Sequence, residues 1–215
     1  MTNRRTLRVV AFSDTHGYHR LHPVPPGDVL VHAGDLTKYG ELDEIDDFDD
    51  FLASLPHRHK LVIAGNHDWC FQRQGAEARA RLRHATYLED EALVIEGWRF
   101  FGSPWQPAFN DWAFNLARGE PLREKWALIP AGTDVLVTHG PPLGHGDRVA
   151  YGGEHVGCED LLRAVERLAP RLHVFGHIHE GAGVTRNAVT TFVNAACCDL
   201  FYEPTQPPIV FDLVP

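Results

Sequence analysis

The chain has 215 residues, of which 44% are hydrophobic and 23% are charged, and its formal net charge is −9 at pH 7. This composition is that of a globular protein with one domain, predicted over residues 1–215, and the acidity argues against binding of long nucleic acid. No apolar run reaches the roughly 18 residues of a membrane helix, and none suits a secretory signal, so no membrane partner and a cytoplasmic location are predicted.

The first part of the chain alternates short apolar runs with amphipathic segments. Strands are predicted at Leu7–Ser13, Asp28–Ala33 and Leu61–Ala64, because each is an apolar run that stops at polar residues or glycine. Apolar residues recur at helical spacing over Glu41–Leu55, and a weaker, arginine-rich helix is predicted over Gln72–His84.

The second part of the chain adds antiparallel signals. The apolar runs Ala92–Ile95 and Trp98–Gly102 flank Glu96-Gly97, which is typical of a two-residue hairpin turn. The remaining predicted elements are an aromatic loop at Ser103–Glu120, a strand at Asp134–Thr138, a helix at Glu159–Leu168, a strand at Leu172–Phe175, and a closing β-meander over Gly183–Thr185, Thr191–Ala195 and Ile209–Leu213. Together these signals predict two mixed sheets packed face to face with helices outside.

Five of the predicted strands end in side chains of the kind that bind metals. In an open α/β sheet the carboxyl ends of the strands form the rim where ligands bind. Residues i and i+2 of an extended segment point to the same side, so an Asp-x-His or His-x-His pair can direct two ligands to one place. The candidates are Asp14, His16, Asp35, Asn66, His67, Asp68, His139, His177 and His179.

The chemistry of these candidates narrows the choice of metal. Imidazole, carboxylate and amide oxygen without thiolate suit manganese, iron or zinc better than copper or calcium. The four cysteines have no C-x-x-C spacing and are predicted to be free thiols. The number of ligands is too large for one ion, so two metal ions are predicted.

The order of the candidate ligands resembles the signature of the calcineurin-like metallophosphoesterases. That signature, D-x-H…G-D…G-N-H-[DE]…H…G-H-x-H, is complete here between Asp14 and His179. Longer segments are similar to the metallophosphoesterase-domain-containing subgroup, namely GSPWQP at 102–107, WAFN at 112–115, HGPPLG at 139–144 and VFGHIHE at 174–180. The resemblance implies a four-layer α/β/β/α sandwich of two mixed β-sheets, with a dinuclear metal site at the C-terminal rim of the strands.

The resemblance also implies a role for each candidate. His67 would lie beside the leaving group, and Asp68 would orient the His67 ring and raise its pKa. Two divalent or trivalent ions are implied, Mn²⁺ and/or Fe²⁺/Fe³⁺, with Zn²⁺ as a further candidate. The first ion would be held by Asp14, His16, Asp35 and His179, and the second by Asp35, Asn66, His139 and His177.

The charge of such a site favours a diester substrate. After Asp35 the chain lacks the arginine that binds phosphate in the phosphoprotein-phosphatase branch, although Lys38 is a candidate substitute. Two divalent ions, two carboxylates and a bridging hydroxide sum to about +1, which matches a diester monoanion. The prediction is a phosphodiesterase that hydrolyses small diesters, with 2′,3′- or 3′,5′-cyclic nucleotides as the natural class, by in-line attack of a metal-bridging hydroxide.

Other readings stay open at this point. Trp105, Phe109 and Trp112 suit base stacking and core packing equally well. The same metal pair would also serve a phosphomonoesterase or a nuclease, and a low-activity scaffold would keep the fold. The predicted partner is a small phosphodiester or nucleotide, and the sequence leaves a homodimer open.

Overall fold

The computed structural model of the protein describes residues 4–215, so the first three residues of the predicted domain lie outside the described part. In this part, two main sheets and five helices make up the fold. The strands are β1 (Leu7–Phe12), β2 (Val29–Ala33), β3 (His59–Ile63), β4 (Thr86–Tyr87), β5 (Glu91–Ile95), β6 (Trp98–Ser103), β7 (Gln106–Pro107), β8 (Asn115–Leu116), β9 (Val135–Thr138), β10 (Leu172–Phe175), β11 (Gly183–Arg186), β12 (Thr191–Asn194) and β13 (Ile209–Leu213). The helices are α1 (Leu42–Ser54), α2 (Trp69–Arg73), α3 (Gly75–Arg81), α4 (Glu120–Ala127) and α5 (Glu159–Leu168).

Both sheets are mixed. The first has the strand order β13-β1-β2-β3-β4, in which β1 to β4 run parallel and β13 is antiparallel to β1. The second has the order β11-β12-β10-β9-β6-β5, with the four central strands parallel and both edge strands antiparallel. Strands β7 and β8 form a small separate ribbon within the aromatic loop.

Alternation along the strands creates three apolar layers. Leu7 and Val9 of β1 are buried between the two sheets, whereas Val10 and Phe12 pack with α1, α2 and α3 on the outer face of the first sheet. Helices α4 and α5 cover the second sheet in the same way, with Trp126 fully inside. The predicted four-layer sandwich of two mixed sheets is therefore confirmed.

Local sequence explains where the two long helices begin and end. Helix α1 starts at a capping box formed by Glu41 and Glu44. It ends at Ser54, because the next residue, Leu55, precedes Pro56 and is disfavoured in a helix. Helix α5 ends at Leu168, because the next residue, Ala169, adopts a left-handed φ of 50° directly before Pro170. All four cysteines are free and buried, as predicted.

Two sequence predictions are corrected by the structure, and helix α4 was not predicted. Where one helix was predicted over Gln72–His84, the structure has the two short helices α2 and α3, because the backbone turns at Gln74. The charged helix α4 was missed within a stretch that offers only Leu122 and Trp126 as buried residues. The tail is not a meander: β12 is parallel to β10, and β13 crosses to the first sheet and pairs with β1.

Candidate metal centre

Five parallel strands place the predicted ligands at one rim between the two sheets. From the first sheet, β1 leads to Asp14 and His16, β2 leads to Asp35, and β3 leads to Asn66 and His67. From the second sheet, β9 leads to His139, and β10 leads to His177 and to a short 3-10 turn that begins at His179. The cluster is therefore completed only when the sheets pack on each other.

The first group of ligands surrounds His16 and His179. Their Nε2 atoms lie 3.3 Å apart, and Nε2 of His179 is 3.4 Å from Oδ1 of Asp14. Nε2 of His16 is 3.8 Å from Oδ2 of Asp35. Buried nitrogen and oxygen atoms that converge in this way fit around a cation.

The second group is centred on Asn66. Its Oδ1 lies 2.7 Å from both Nε2 of His139 and Nδ1 of His177. Nε2 of His139 is also 3.5 Å from Oδ1 of Asp35, so the two oxygens of this carboxylate reach towards different groups. That arrangement is the one a bridging ligand between two ions requires.

Backbone contacts orient the imidazole rings. Nδ1 of His139 donates to the carbonyl of Ala33 at 2.9 Å, and Nδ1 of His179 donates to the carbonyl of Asp199 at 2.8 Å. In both rings Nε2 is then the free ligand atom. Such outer contacts fix the tautomer and the angle of a metal-binding histidine.

The turns that carry the ligands are strained. Asp14, His16, Asp35 and His177 adopt left-handed φ values of 53°, 42°, 57° and 69°, which non-glycine residues seldom do. Residues in such sparsely populated conformations cost on the order of 1–3 kcal/mol each, and they cluster at functional sites. Gly176 is required beside them, because a methyl group there would collide with Oδ2 of Asp14.

The electrostatics of the cluster also call for cations. Burial alone would raise the pKa values of Asp14 and Asp35, but the surrounding histidines outweigh it and hold both below their usual range. Burial opposes charge on His139 and His179 too, yet the two carboxylates raise their pKa values to about 9. Within residues 4–215 no lysine or arginine pairs with either carboxylate, so the oxygen and nitrogen donors fit metal ions.

Asp68 has a role that differs from the predicted one. Its Oδ2 accepts from the backbone N–H groups of Asp35, Leu36 and Gly65, and its Oδ1 accepts from both the N–H and the hydroxyl of Thr37. The prediction that Asp68 orients the ring of His67 is therefore wrong. The side chain turns inward at the start of α2 and holds the loop that carries Asp35, and burial together with Asp35 raises its pKa to about 6.

We expect Asp68→Ala to destabilise the protein by about 3 kcal/mol or more, because several buried N–H donors lose their acceptor at once. Urea unfolding of the metal-free protein measures this loss. Asp50→Ala, at an exposed position of α1, is the matched control and should change stability by no more than about 0.5 kcal/mol. Equal stability of both variants would mean that the loop holds its shape without Asp68.

His67 lies at the edge of the first group of ligands. Its ring centroid is 4.7 Å from that of His16, and its Nδ1 is 3.3 Å from the carbonyl oxygen of Lys38. A ligand atom of His67 lies within 4.8 Å of ligand atoms of His16 and Asp35. Its backbone N–H donates to Oδ1 of Asp35 at 2.8 Å. This position suits a leaving-group residue, and the role of His67 stays a prediction.

Two openings flank the ligands. The large cavity, of about 730 Å³, is lined by His177 and His179 and by the predicted aromatic residues Phe109 and Trp112. The second cleft, of about 350 Å³, contains Lys38 together with His16, Tyr18 and Tyr39. The described cluster therefore lies between a large, mostly apolar cavity and a smaller cleft that has a lysine in its lining.

Trp105 is outside both openings. Its Nε1 donates to Oδ2 of Asp90 at 3.0 Å, its ring meets Phe114 edge to face, and Nζ of Lys125 lies 4.3 Å from its centroid. Trp105 is a packing residue, which corrects its prediction as a substrate contact.

Sequence reasoning missed Tyr202. Its ring centroid lies 4.7 Å from that of His16 and 5.3 Å from that of His179, and its φ is 62°. Burial, Asp35 and Asp14 raise the pKa of its hydroxyl. No motif marked this residue, because it lies outside the signature that ends at His179.

Comparison with known proteins agrees with this geometry. The sequence pattern of the family described as calcineurin-like phosphoesterase matches residues 7–181. The chain belongs to this family.

Metallophosphoesterase domain-containing protein 1 of Homo sapiens is 45% identical over 96% of this chain and 71% of its own length. A UPF0046 protein of Caenorhabditis elegans is 42% identical over 96% of this chain and 81% of its own length. The solved structure of TT1561 of Thermus thermophilus is 15% identical, covers 88% of each chain and has a TM-score of 0.56, which supports the fold alone.

Membership in the calcineurin-like phosphoesterases confirms the predicted family and makes the chain a phosphoester hydrolase. Members of the family typically bind two metal ions, and the His/Asp clusters fit a dinuclear site. Across residues 4–215, no helix combines the length and the apolar character needed to cross a bilayer.

Proposed function

We propose that this metallophosphoesterase is a phosphodiesterase for small nucleotide diesters, with 2′,3′- or 3′,5′-cyclic nucleotides as the natural class. The observation that carries this proposal is the position of the ligand cluster between the large cavity and the second cleft. A phosphorus atom bound there has space on both sides. A diester, which carries an organic group on two of its oxygens, uses that space better than a monoester.

The charges near the cluster favour the same substrate. Arginines that hold a phosphate dianion bind it through two parallel hydrogen bonds, and none of the described ion pairs at the ligands involves an arginine. Nζ of Lys38 lies 5.7 Å and 5.3 Å from the ring centroids of Tyr18 and Tyr39. Lys38 therefore lies among the aromatic side chains of the second cleft. Because no arginine within residues 4–215 pairs with the ligands, the cluster is better suited to a monoanion.

The apolar wall of the large cavity supports binding of a nucleobase. Phe109 and Trp112 meet edge to face with ring centroids 5.5 Å apart, and Tyr202 and Leu200 line the same cavity. Phe109 is largely exposed despite its contact with Trp112. Aromatic rings stack on bases with roughly 1–3 kcal/mol per base, which is enough to select nucleotides among small diesters.

The chain's own residues have separate tasks in the reaction. A metal pair, when bound, supplies Lewis-acid chemistry and an activated water for attack at phosphorus. Asp35 reaches both ligand groups and fixes their spacing, while Asn66 and Asp14 complete them from the first sheet. His67 stands beside the cluster, where its Nε2 can deliver a proton to the departing ester oxygen. Its Nδ1 faces a carbonyl oxygen and so carries a hydrogen.

We expect kcat/KM for bis(p-nitrophenyl) phosphate to exceed that for p-nitrophenyl phosphate, because the cluster matches one negative charge and has space on both sides. Both substrates are assayed on one preparation with manganese, followed by 2′,3′- and 3′,5′-cyclic AMP. Faster hydrolysis of the monoester would assign the chain to phosphomonoesterases. No turnover of any substrate by protein with bound metal would indicate a scaffold.

A further inference from the structure

The large cavity extends from the metal ligands to a wall that the proposed reaction does not use. His177 and His179 line it at the metal centre, and Arg118 and His155 line it elsewhere. One continuous space of about 730 Å³ therefore extends from the metal-binding histidines, where the scissile phosphate is proposed to bind, to two basic side chains. Cavities of roughly 300–1,000 Å³ hold drug-sized ligands, so this one has space for much more than a phosphoryl group.

The guanidinium of Arg118 is held by the backbone and not by an acid. Its Nη1 donates to the carbonyl of Gly157 at 2.8 Å, and its Nη2 donates to the carbonyl of Val156 at 2.6 Å. A guanidinium has five N–H donors, so most of its donors stay available. Arg123, close by in sequence, instead pairs with Glu120 and Asp160. Among the described residues Arg118 has no such carboxylate partner, and its charge is free to meet an anion.

His155 is held at the same wall by a buried acid. Its Nδ1 lies 2.7 Å from Oδ1 of Asp147, which is fully buried. The other oxygen of Asp147 accepts from the backbone N–H groups of Gly144 and Gly157 at 2.9 and 3.0 Å. A carboxylate only accepts, so Nδ1 of His155 carries a hydrogen and Nε2 is left for a ligand. The side chain is 53% exposed.

One acidic side chain, that of Glu180, lies among the described residues of this cavity, and a backbone N–H group orients it. Oε1 of Glu180 accepts from the backbone N–H of Ala150 at 2.8 Å. Like Asp147, it therefore fixes the loop that spans residues 144–157. The donors that remain for an anion at this wall come from Arg118, and from Nε2 of His155 when the ring is an imidazolium.

We propose that Arg118 and His155 form a second anion-binding subsite that takes a second phosphate of the substrate. The proposal rests on the diesterase function proposed above and specifies its substrate class. The scissile diester lies at the metal ligands, the base lies against Phe109 and Trp112, and a phosphate elsewhere on the same nucleotide binds Arg118. The planar fork of an arginine matches phosphate geometry, and its weak hydration lowers the cost of the contact.

The test uses AMP and adenosine 3′,5′-bisphosphate, which differ by one phosphate, in calorimetric titrations of metal-loaded protein. We expect the bisphosphate to bind the wild type at least on the order of tenfold more tightly, as charged hydrogen bonds permit. Arg118→Gln should bring that ratio close to one, and His155→Gln should lower it. Equal binding of both nucleotides by the wild type would overturn the subsite, and so would an unchanged ratio in both variants.

The controls distinguish the loss of a positive charge from a change in the structure of the loop. Arg186→Gln removes an exposed arginine of β11 outside the cavity and should keep the wild-type ratio. Arg118 also ties down Val156 and Gly157, so thermal unfolding of each variant is recorded. His155→Gln leaves those two bonds in place, and a lowered ratio in that variant cannot come from their loss.

Hydrolysis of bis(p-nitrophenyl) phosphate is measured on the same wild-type preparation. If the wild type hydrolyses this diester but does not prefer the bisphosphate, only the subsite is wrong. If it prefers the bisphosphate but hydrolyses monoesters instead of diesters, the subsite stands and the proposed function is wrong.

Discussion

Asp35→Asn should remove both metal ions and lower kcat/KM for bis(p-nitrophenyl) phosphate by at least about 100-fold. Oδ2 of Asp35 faces His16 and its Oδ1 faces His139, so this one carboxylate belongs to both groups of ligands. Even residues that only orient metal ligands cost about 10–100-fold when they are replaced. An amide keeps the shape but loses the negative charge that both positions share.

Elemental analysis of metal-replete protein gives the readout, with two ions per chain expected for the wild type. His16→Ala is the matched variant, because His16 belongs to the first group and should leave the second ion in place. Asp50→Asn, at an exposed position of α1 outside both openings, controls for a general loss of negative charge. Two ions retained by Asp35→Asn would show that Asp35 does not bridge, and a single ion in the wild type would rule out a dinuclear centre.

His67→Ala should keep both ions, lose little activity on bis(p-nitrophenyl) phosphate and lose about 10²–10⁴-fold on a cyclic nucleotide. Nitrophenolate leaves readily without a proton, whereas a ribose alkoxide needs one. The ring lies at the edge of the cluster, with its Nδ1 on the carbonyl oxygen of Lys38, so Nε2 is the atom left for the leaving group. The substrate therefore decides how much the histidine matters.

The comparison of the two substrates, with metal content checked, separates three roles for this ring. His67→Gln keeps a polar side chain but delivers no proton, and it should behave like the alanine variant. An equal loss on both substrates would mean that His67 stabilises the phosphoryl group. Loss of an ion would make His67 a ligand, which its closeness to His16 and Asp35 allows.

Much of the fold could be predicted because its strands are either buried apolar runs or segments whose burial alternates. Leu172–Phe175 and Ile209–Leu213 have the predicted bounds, and so does α5, whose end before Pro170 is set by local chemistry. The pairing partners of the last strands were predicted wrongly. Nothing in the residues of β13 distinguishes pairing with β12 from pairing with β1, since an apolar alternating strand suits either edge.

The site shows the same division between local and distant information. Asp14 and His139 could be located because each follows an apolar strand closely. The hydrogen-bond partners of Asp68 could not be inferred, because neighbouring side chains on a tight turn point in different directions. The carboxylate of Asp68 accepts from backbone N–H groups of the loop after β2, which is distant in sequence. Tyr202 and Arg118 reach the cavity only through tertiary packing, so no spacing rule marks them.

The pairing of β13 with β1 has a consequence for synthesis of the protein. It joins two strands that are far apart in the sequence, since Leu213 lies beside Leu7. A nascent chain emerges from the ribosome amino end first, so this edge of β1 stays unpaired until residues 209–213 have been synthesised. Bare strand edges invite pairing with other chains, and such long-range closure is slow compared with local folding. The second half of the chain must therefore be in place before the first sheet gains its last strand.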